Sequence, residues 1–133
     1  MMTKEQHISY WVNSAEEDLS SVEALLDKKR YLHCLFWAHL MLEKLAKAIW
    51  VKYHEENFPP KIHNIVWLLN NSNVDLGKER MEFLSNFNDF QLSSRYPDYL
   101  NKIHEVCTEN FTTSELAKAK EIRTCLLEIL QSK

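Results

Sequence analysis

Glycine and proline are scarce in this chain of 133 residues: glycine occurs only at Gly77, and proline only at Pro59, Pro60 and Pro97. All-β folds need turn-forming residues roughly every 8–12 positions, so this scarcity disfavours them and predicts an all-α fold. A single glycine also excludes a glycine-rich loop that cradles phosphate.

Cysteine is also rare, and Cys34, Cys107 and Cys125 form no C-x-x-C pair. Their odd number and wide spacing disfavour a disulfide framework and a zinc knuckle, so we expect a reducing, cytoplasmic setting. The N-terminus is polar, and no apolar run reaches the roughly 18 residues that a membrane-spanning helix needs. We therefore expect neither secretion nor contact with a membrane.

A basic excess is lacking too, because the formal net charge is −3 and the isoelectric point is near 6.1. Proteins that coat DNA or RNA through bulk electrostatics usually carry a clear positive charge, so that class is disfavoured. Any contact with RNA must be local. The length predicts one domain, residues 1–133, with one core.

Apolar residues recur at helical spacing along most of the chain. A first helix is predicted from about residue 4 to about residue 28, opened by a capping box of Thr3 and Gln6. The segment from Tyr31 to about Glu55 is apolar on much of its circumference, which is typical of the central helix of a bundle. The next two prolines, Pro59 and Pro60, must break this helix.

The second half of the chain predicts three further helices. A short helix follows Asn64 as its N-cap, a longer one runs from about Lys78 to Ser93, and Thr112 with Glu115 forms a capping box for the last. The stretch from about Ser94 to Phe111 is then the only long irregular segment, where we expect a site. The whole pattern predicts an up-and-down antiparallel bundle of four to five helices.

The residues after Ser94 have the chemistry of a nucleotide contact. Arg95 offers a planar fork for phosphate, and Tyr96 and Tyr99 offer ring faces on which bases can stack. In the alternative interpretation, Arg95 pairs with a buried carboxylate while the tyrosines close the end of the bundle. The two interpretations are compatible, and we expect Asp98 to be a structural polar residue.

Polar residues on the apolar helices form a second candidate group. His39 and Glu43 are four residues apart on the central helix, and a buried Glu43 needs a cationic partner, for which Arg95 and His104 are the candidates. A metal site is disfavoured, because no second such pair and no H-E-x-x-H motif occur. We expect Asp18, His39 and Glu43 to be satisfied structural groups.

Two lysines of the central helix, Lys44 and Lys47, are three residues apart and, with Lys52 and Lys61, can form a basic strip that contacts nucleotide or RNA. The alternative is a solvated helix face without a ligand. We expect His63, next to Asn64, to help start the short helix rather than to perform acid–base chemistry.

Several of these pieces occur in an order that resembles the HEPN family, in particular small prokaryotic HEPN proteins encoded beside minimal nucleotidyltransferases. The resemblance spans about residues 8 to 130, and its pieces are Trp11, Ala15 and Asp18-Leu19, then Tyr31, Phe36 and Leu42 to Ala48, then Pro60 with His63-Asn64, and Arg95 to Asp98. It implies a bundle of four or five helices that forms a homodimer, with the Arg segment facing a cleft between protomers.

The resemblance also implies a choice between binding and catalysis. Many HEPN proteins are metal-independent ribonucleases with an R-x(4–6)-H motif, but the first histidine after Arg95 is His104, nine residues away, which a helix would place about 180° around its axis. We therefore expect a protein without cofactor or stand-alone catalysis that binds nucleotide or RNA, or pairs with a nucleotidyltransferase that can modify Tyr96 or Tyr99. The alternatives are a ribonuclease toxin of a toxin–antitoxin pair, with Arg95 and His104 as catalytic residues, and a purely structural interaction module.

Overall fold

A computed structural model describes residues 1–92 and 95–132 of the chain. These residues form six α-helices and one 3₁₀ turn, and no strand occurs among them. The helices are α1 (Lys4–Asp27), α2 (Tyr31–Tyr53), α3 (Ile65–Asn70), α4 (Lys78–Phe87), α5 (Pro97–Val106) and α6 (Glu109–Gln131), and the 3₁₀ turn is Asn88–Phe90. The predicted all-α bundle is confirmed, with six helices in the described ranges rather than four to five.

Helix α2 is the central element, as its sequence predicts. Residues on all of its sides are fully buried, among them Leu35, Ala38, Leu42 and Ile49. It packs against α1, α3 and α6, which together remove most of its apolar surface from water. Despite this apolar character, no helix in the described part of the chain is long and apolar enough to cross a membrane.

Side-chain contacts between neighbouring helices show the directions in which the helices run. Lys4, at the start of α1, donates to the carbonyl of Val51 near the end of α2, so these two helices are antiparallel. Helix α6 runs antiparallel to α4, because Arg80 pairs with Glu121 while Phe83, one turn later in α4, packs beneath Lys118. These contacts fit the up-and-down arrangement.

Two of the predicted helix starts are confirmed by their caps. The Thr3 hydroxyl accepts a hydrogen bond from the Gln6 amide, and the Gln6 side chain accepts one from the Thr3 amide at 2.8 Å. The Asn64 side chain accepts from the Trp67 amide at 3.0 Å and so begins α3. Asn64 also places its oxygen beside the polar residues that form the candidate site.

The chain between α4 and α6 differs from the prediction. Helix α4 ends at Phe87 and passes into the 3₁₀ turn, and Gln91 and Leu92 are not helical, while the predicted end at Ser93, with Ser94, lies outside the described residues. The predicted irregular segment contains α5, which Pro97 opens at its first position, where a proline costs no hydrogen bond.

The start of the last helix was also placed wrongly. Helix α6 begins at Glu109, and its N-cap is Thr108, whose hydroxyl accepts from the Phe111 amide at 3.2 Å. Thr112, which the sequence predicts as the cap, lies fully buried inside the helix. Thr108 is equally suited to be the N-cap. The choice between the two threonines depends on where α5 ends, at Val106, because α6 begins shortly after it.

Candidate nucleotide-binding site and buried polar network

A buried carboxylate on α2 is the centre of the polar residues of the fold. The Glu43 side chain is 4 % exposed, and its Oε2 atom lies 3.1 Å from Lys47 Nζ, one helical turn further along. His63 Nδ1 lies 3.1 Å and 3.2 Å from the two carboxylate oxygens. The expectation that Arg95 or His104 is the partner of Glu43 is therefore wrong, because Lys47 forms the ion pair and His63 Nδ1 lies within hydrogen-bond distance of the carboxylate.

His39 is fully buried on the same face of α2, one turn before Glu43. Its Nε2 atom lies 3.0 Å from Asn88 Oδ1, which can only accept, so Nε2 carries the proton and donates. Its Nδ1 atom lies 3.8 Å from Glu43 Oε1. Burial lowers the pKa of His39, although Asn88 and the Glu43 charge oppose this effect, so the ring is neutral near pH 7.

Asn88 connects this interior to the surface. Its side-chain amide donates to Asn64 Oδ1 at 3.3 Å, and its backbone carbonyl accepts from Arg95 Nη2 at 3.4 Å. We call Lys47, Glu43, His63, His39 and Asn88 the buried polar network. The bond between His39 and Asn88 holds the 3₁₀ turn against α2, and the Asn88 carbonyl binds the Arg95 side chain.

Arg95 lies at the outer end of this chain of contacts. Its Nε atom donates to the Gln91 carbonyl at 3.1 Å, and its guanidinium carbon lies 4.7 Å from the centre of the Tyr99 ring. Partial burial and the neighbouring Asp89 carboxylate raise the pKa of Tyr99. Tyr96 is 82 % exposed beside Arg95 in sequence. We call Arg95, Tyr96 and Tyr99 the Arg95 surface.

The two aspartates that the sequence predicts to be structural, Asp18 and Asp98, differ in their burial. Asp18 is buried, with Lys44 Nζ 2.9 Å from its Oδ2 atom. Burial raises the pKa of Asp18, and Lys44 opposes that rise. Asp98 is exposed in the first turn of α5, where a negative charge interacts favourably with the helix dipole.

The predicted basic strip on α2 is not formed. Lys44 is paired with Asp18, and Lys47 is buried between Glu43 and the ring of Trp11, 5.5 Å from its centre. Lys52 donates to the carbonyl of Ile129 at 2.6 Å and so caps the end of α6. These three ammonium groups pair with groups of the fold itself, so Lys44 and Lys47 do not present the predicted strip to a nucleotide.

His104 does not join the Arg95 surface. Because residues 97–106 are helical, His104 lies in the last turn of α5, about 10 Å along the axis from the first turn that follows Arg95. His104 lines a separate cavity with residues at the start of α2. The structure therefore does not bring together the Arg95 and His104 pair that the sequence offers as catalytic residues.

His63 is the functional candidate that the sequence analysis undervalued. Its side chain is 55 % exposed, yet its Nδ1 atom binds the buried Glu43 carboxylate. A histidine held in this way can exchange protons through Nε2 while the carboxylate orients the ring. The only sequence signal is the step from Pro60 to His63-Asn64, because the pairing with Glu43 spans twenty positions.

The described residues contain no cluster of side chains that could hold a metal ion. Within residues 1–92 and 95–132, no three His, Cys, Asp or Glu side chains come together as a metal site would require. Cys34 and Cys107 are buried, and burial raises the pKa of each thiol to about 11. Neither thiol is suited to act as a nucleophile near pH 7.

The fold and the site define an all-α bundle with a polar network that leads to an arginine at its surface. The sequence model of the HEPN domain matches residues 8–130, nearly the whole chain. The chain belongs to the HEPN family, and its function is related to nucleotides or RNA at the level of that family. Comparison with curated proteins and with solved structures gave no match.

Proposed function

We propose that the protein binds a nucleotide or single-stranded RNA at the Arg95 surface, without stand-alone catalysis. The observation that carries this proposal is the exposed guanidinium of Arg95, which donates to two backbone carbonyls. The described residues use two of its five N–H donors, in the bonds to the carbonyls of Gln91 and Asn88. The remaining donors can form charged hydrogen bonds with a phosphate oxygen.

The two tyrosines supply the base-recognition part of this proposal. Tyr99 packs its ring under Arg95, and Tyr96 exposes most of its ring to solvent. Stacking of a base on an aromatic side chain contributes about 1–3 kcal/mol and tolerates any base. The Arg95 surface therefore suits an unpaired base next to a phosphate, and favours single-stranded over duplex RNA.

Two classes of partner extend the proposal. A second copy of this chain is supported by family membership and by large exposed apolar side chains, including Tyr10, Phe58 and Trp67. A minimal nucleotidyltransferase is supported by the exposed position of Tyr96. Light scattering tests the homodimer, and mass spectrometry after co-expression with such an enzyme tests nucleotidyl transfer to Tyr96.

The binding experiment follows the anisotropy of labelled single-stranded RNA with the purified protein and a chelator. Arg95→Gln removes one charged hydrogen bond, so we expect binding to weaken about tenfold or more. Arg80→Gln is the matched control, because it changes the net charge equally on a different face, where Arg80 pairs with Glu121. Equal loss in both variants would contradict a site at Arg95.

Metal-independent RNA cleavage is the second candidate function, favoured by the His63–Glu43 pair rather than by His104. Asn64, the residue after His63, accepts a hydrogen bond from the side chain of Asn88, and the Asn88 carbonyl accepts one from Arg95, so this chain of contacts joins the His63 segment to Arg95. His63 could then exchange a proton with the RNA 2′-hydroxyl while Arg95 stabilises the developing charge.

The same RNA samples decide between binding and cleavage. Binding without cleavage supports the first proposal. Cleavage that His63→Asn reduces about 10²-fold or more, while His104→Ala changes it less than twofold, supports the second. Cleavage abolished by His104→Ala would contradict both, because it would require His104 to reach the Arg95 surface.

A further inference from the structure

A second basic site lies where the end of α5 meets the start of α2. A surface cavity of about 390 Å³ is lined there by Lys29, Arg30, His33 and His104, together with apolar or aromatic atoms of neighbouring residues. Four of its seven lining residues can carry positive charge, and none is acidic. This composition is unusual in a chain whose net charge is −3.

The basic side chains of this cavity have no internal role. Within residues 1–92 and 95–132, the side chains of Lys29, Arg30, His33 and His104 form no hydrogen bond or ion pair. Lys44 and Lys47 behave differently, since each is held by a buried carboxylate. The basic side chains of the cavity therefore have no partner among the described residues and are available to a ligand.

Two carboxylates act on residues of the lining, although neither lines the cavity itself. Glu109 raises the pKa of Tyr31, after the larger effect of burial, and Glu115 raises the pKa of Cys107, again after burial. Lys29 holds a left-handed backbone conformation, with φ of 59°, and Arg30 follows it directly. Both long side chains reach the same cavity as the two imidazoles.

We infer that this cavity binds a phosphate group, independently of the Arg95 surface. Arginine and lysine supply charged donors to phosphate oxygens, and the imidazole N–H groups add further donors. The volume exceeds that of a single phosphate and lies within the range of small-molecule sites. The ligand class is a phosphorylated small molecule, such as a nucleoside monophosphate or pyrophosphate.

The site also gives a role to His104 that needs no contact with Arg95. His104 faces the cavity from the last turn of α5, whereas His33 faces it from α2 and Arg30 from the residue before that helix. A ligand bridging these residues would join two helices that make few other contacts. We therefore expect phosphate binding to order the end of α5 relative to α2.

The test is a titration of the ¹⁵N-labelled protein with pyrophosphate, adenosine 5′-monophosphate and adenosine, following the backbone amide signals. We expect the two phosphorylated probes to shift the amides of residues 29–33 and 104–107, and adenosine to leave them unchanged. If the monophosphate binds more tightly than pyrophosphate, the ligand is a nucleotide. The reverse order identifies a free phosphate compound, and either order supports the site.

Two double variants with the same change of charge isolate the cavity. Lys29→Asn with Arg30→Gln removes two cations from it, and asparagine tolerates the left-handed backbone at position 29. Lys28→Gln with Lys102→Gln removes two cations that do not line it. We expect about tenfold weaker binding in the first pair and less than twofold in the second.

Three results would overturn the inference. Equal weakening in both double variants would show bulk electrostatics only, and shifts by adenosine equal to those by its monophosphate would exclude recognition of phosphate. Loss of pyrophosphate binding in Arg95→Gln would assign the ligand to the Arg95 surface. Failure of RNA binding at Arg95 leaves this site unaffected, so the two proposals fail separately.

Discussion

His63 Nδ1 lies 3.1 Å from Glu43 Oε2, although twenty positions and the Pro59-Pro60 break separate the two residues. This contact ties the segment before α3 to the central helix. It also gives the carboxylate a partner that is half exposed, opposite the buried Lys47. Glu43 thus connects the interior to the face on which Asn64, Asn88 and Arg95 follow one another.

Glu43→Gln should destabilise the fold by about 3 kcal/mol, because it leaves the Lys47 ammonium buried without a counter-charge. Urea unfolding followed by circular dichroism measures this loss. Lys47→Met in the Glu43→Gln background should cost much less than Lys47→Met alone. Additive losses for this pair would contradict the ion pair.

The matched control for that experiment is Glu43→Gln combined with Arg95→Gln. Arg95 bonds to the carbonyls of Gln91 and Asn88 rather than to Glu43, so the two changes should be coupled far less than those at Glu43 and Lys47. Coupling as large as that between Glu43 and Lys47 would restore the direct Arg95–Glu43 pair that the sequence suggested.

The stability of the fold should depend on pH through His39. Burial lowers its pKa below the ordinary value of 6.5, so the unfolded chain binds more protons than the folded chain as pH falls. The contribution of the neutral ring is complete above about pH 6.5 and is lost as pH falls toward the lowered pKa.

His39→Gln isolates this effect, since glutamine can also donate to Asn88 but does not titrate. Unfolding free energies of both proteins between about pH 7.5 and pH 5 should show the native protein losing stability relative to the variant, by up to about 1.4 kcal/mol per pH unit. A constant difference over this range would contradict a neutral, buried His39.

Lys4 should contribute to stability through the end of α2. Its Nζ atom donates to the carbonyls of Val51 at 2.8 Å and of His54 at 2.6 Å, which the helix itself leaves unpaired. Lys4→Met should cost about 1–2 kcal/mol, whereas Lys61→Met, at an exposed lysine, should cost less than about 0.5 kcal/mol. Thermal unfolding measures both, and equal effects would exclude the cap.

The helices were predictable where one face of a long segment is apolar. The period of 3.6 residues gives α1, α2 and α6, and the capping pattern at Thr3 gives the first boundary to within a residue. The start of α6 was not predictable in this way, because Thr108 and Thr112 both suit an N-cap. Helix α5 is short, and Pro97 at its start is as compatible with an irregular segment as with the first position of a helix.

The site was predictable in its residue types but not in its pairings. Glu43 and Lys47 are four residues apart, a spacing that favours an ion pair on a helix. The same lysine also fits a basic strip, so the spacing alone does not decide between the two interpretations. The pairing of Glu43 with His63, and of His39 with Asn88, depends on how loops cross the bundle. No local pattern in the sequence carries that information.

The measurement that tests the Arg95 surface most directly is photocrosslinking to single-stranded RNA that contains 4-thiouridine, followed by mass spectrometry of tryptic peptides. Trypsin cuts after Arg95 and Lys102, so Tyr96 and Tyr99 fall in one peptide, residues 96–102. We expect this peptide to carry most of the crosslinked nucleotide, and Arg95→Ser, digested with chymotrypsin beside the native protein, to reduce that crosslink about tenfold. Crosslinks that concentrate in another part of the chain, or that persist at full yield in Arg95→Ser, would contradict RNA binding at this surface.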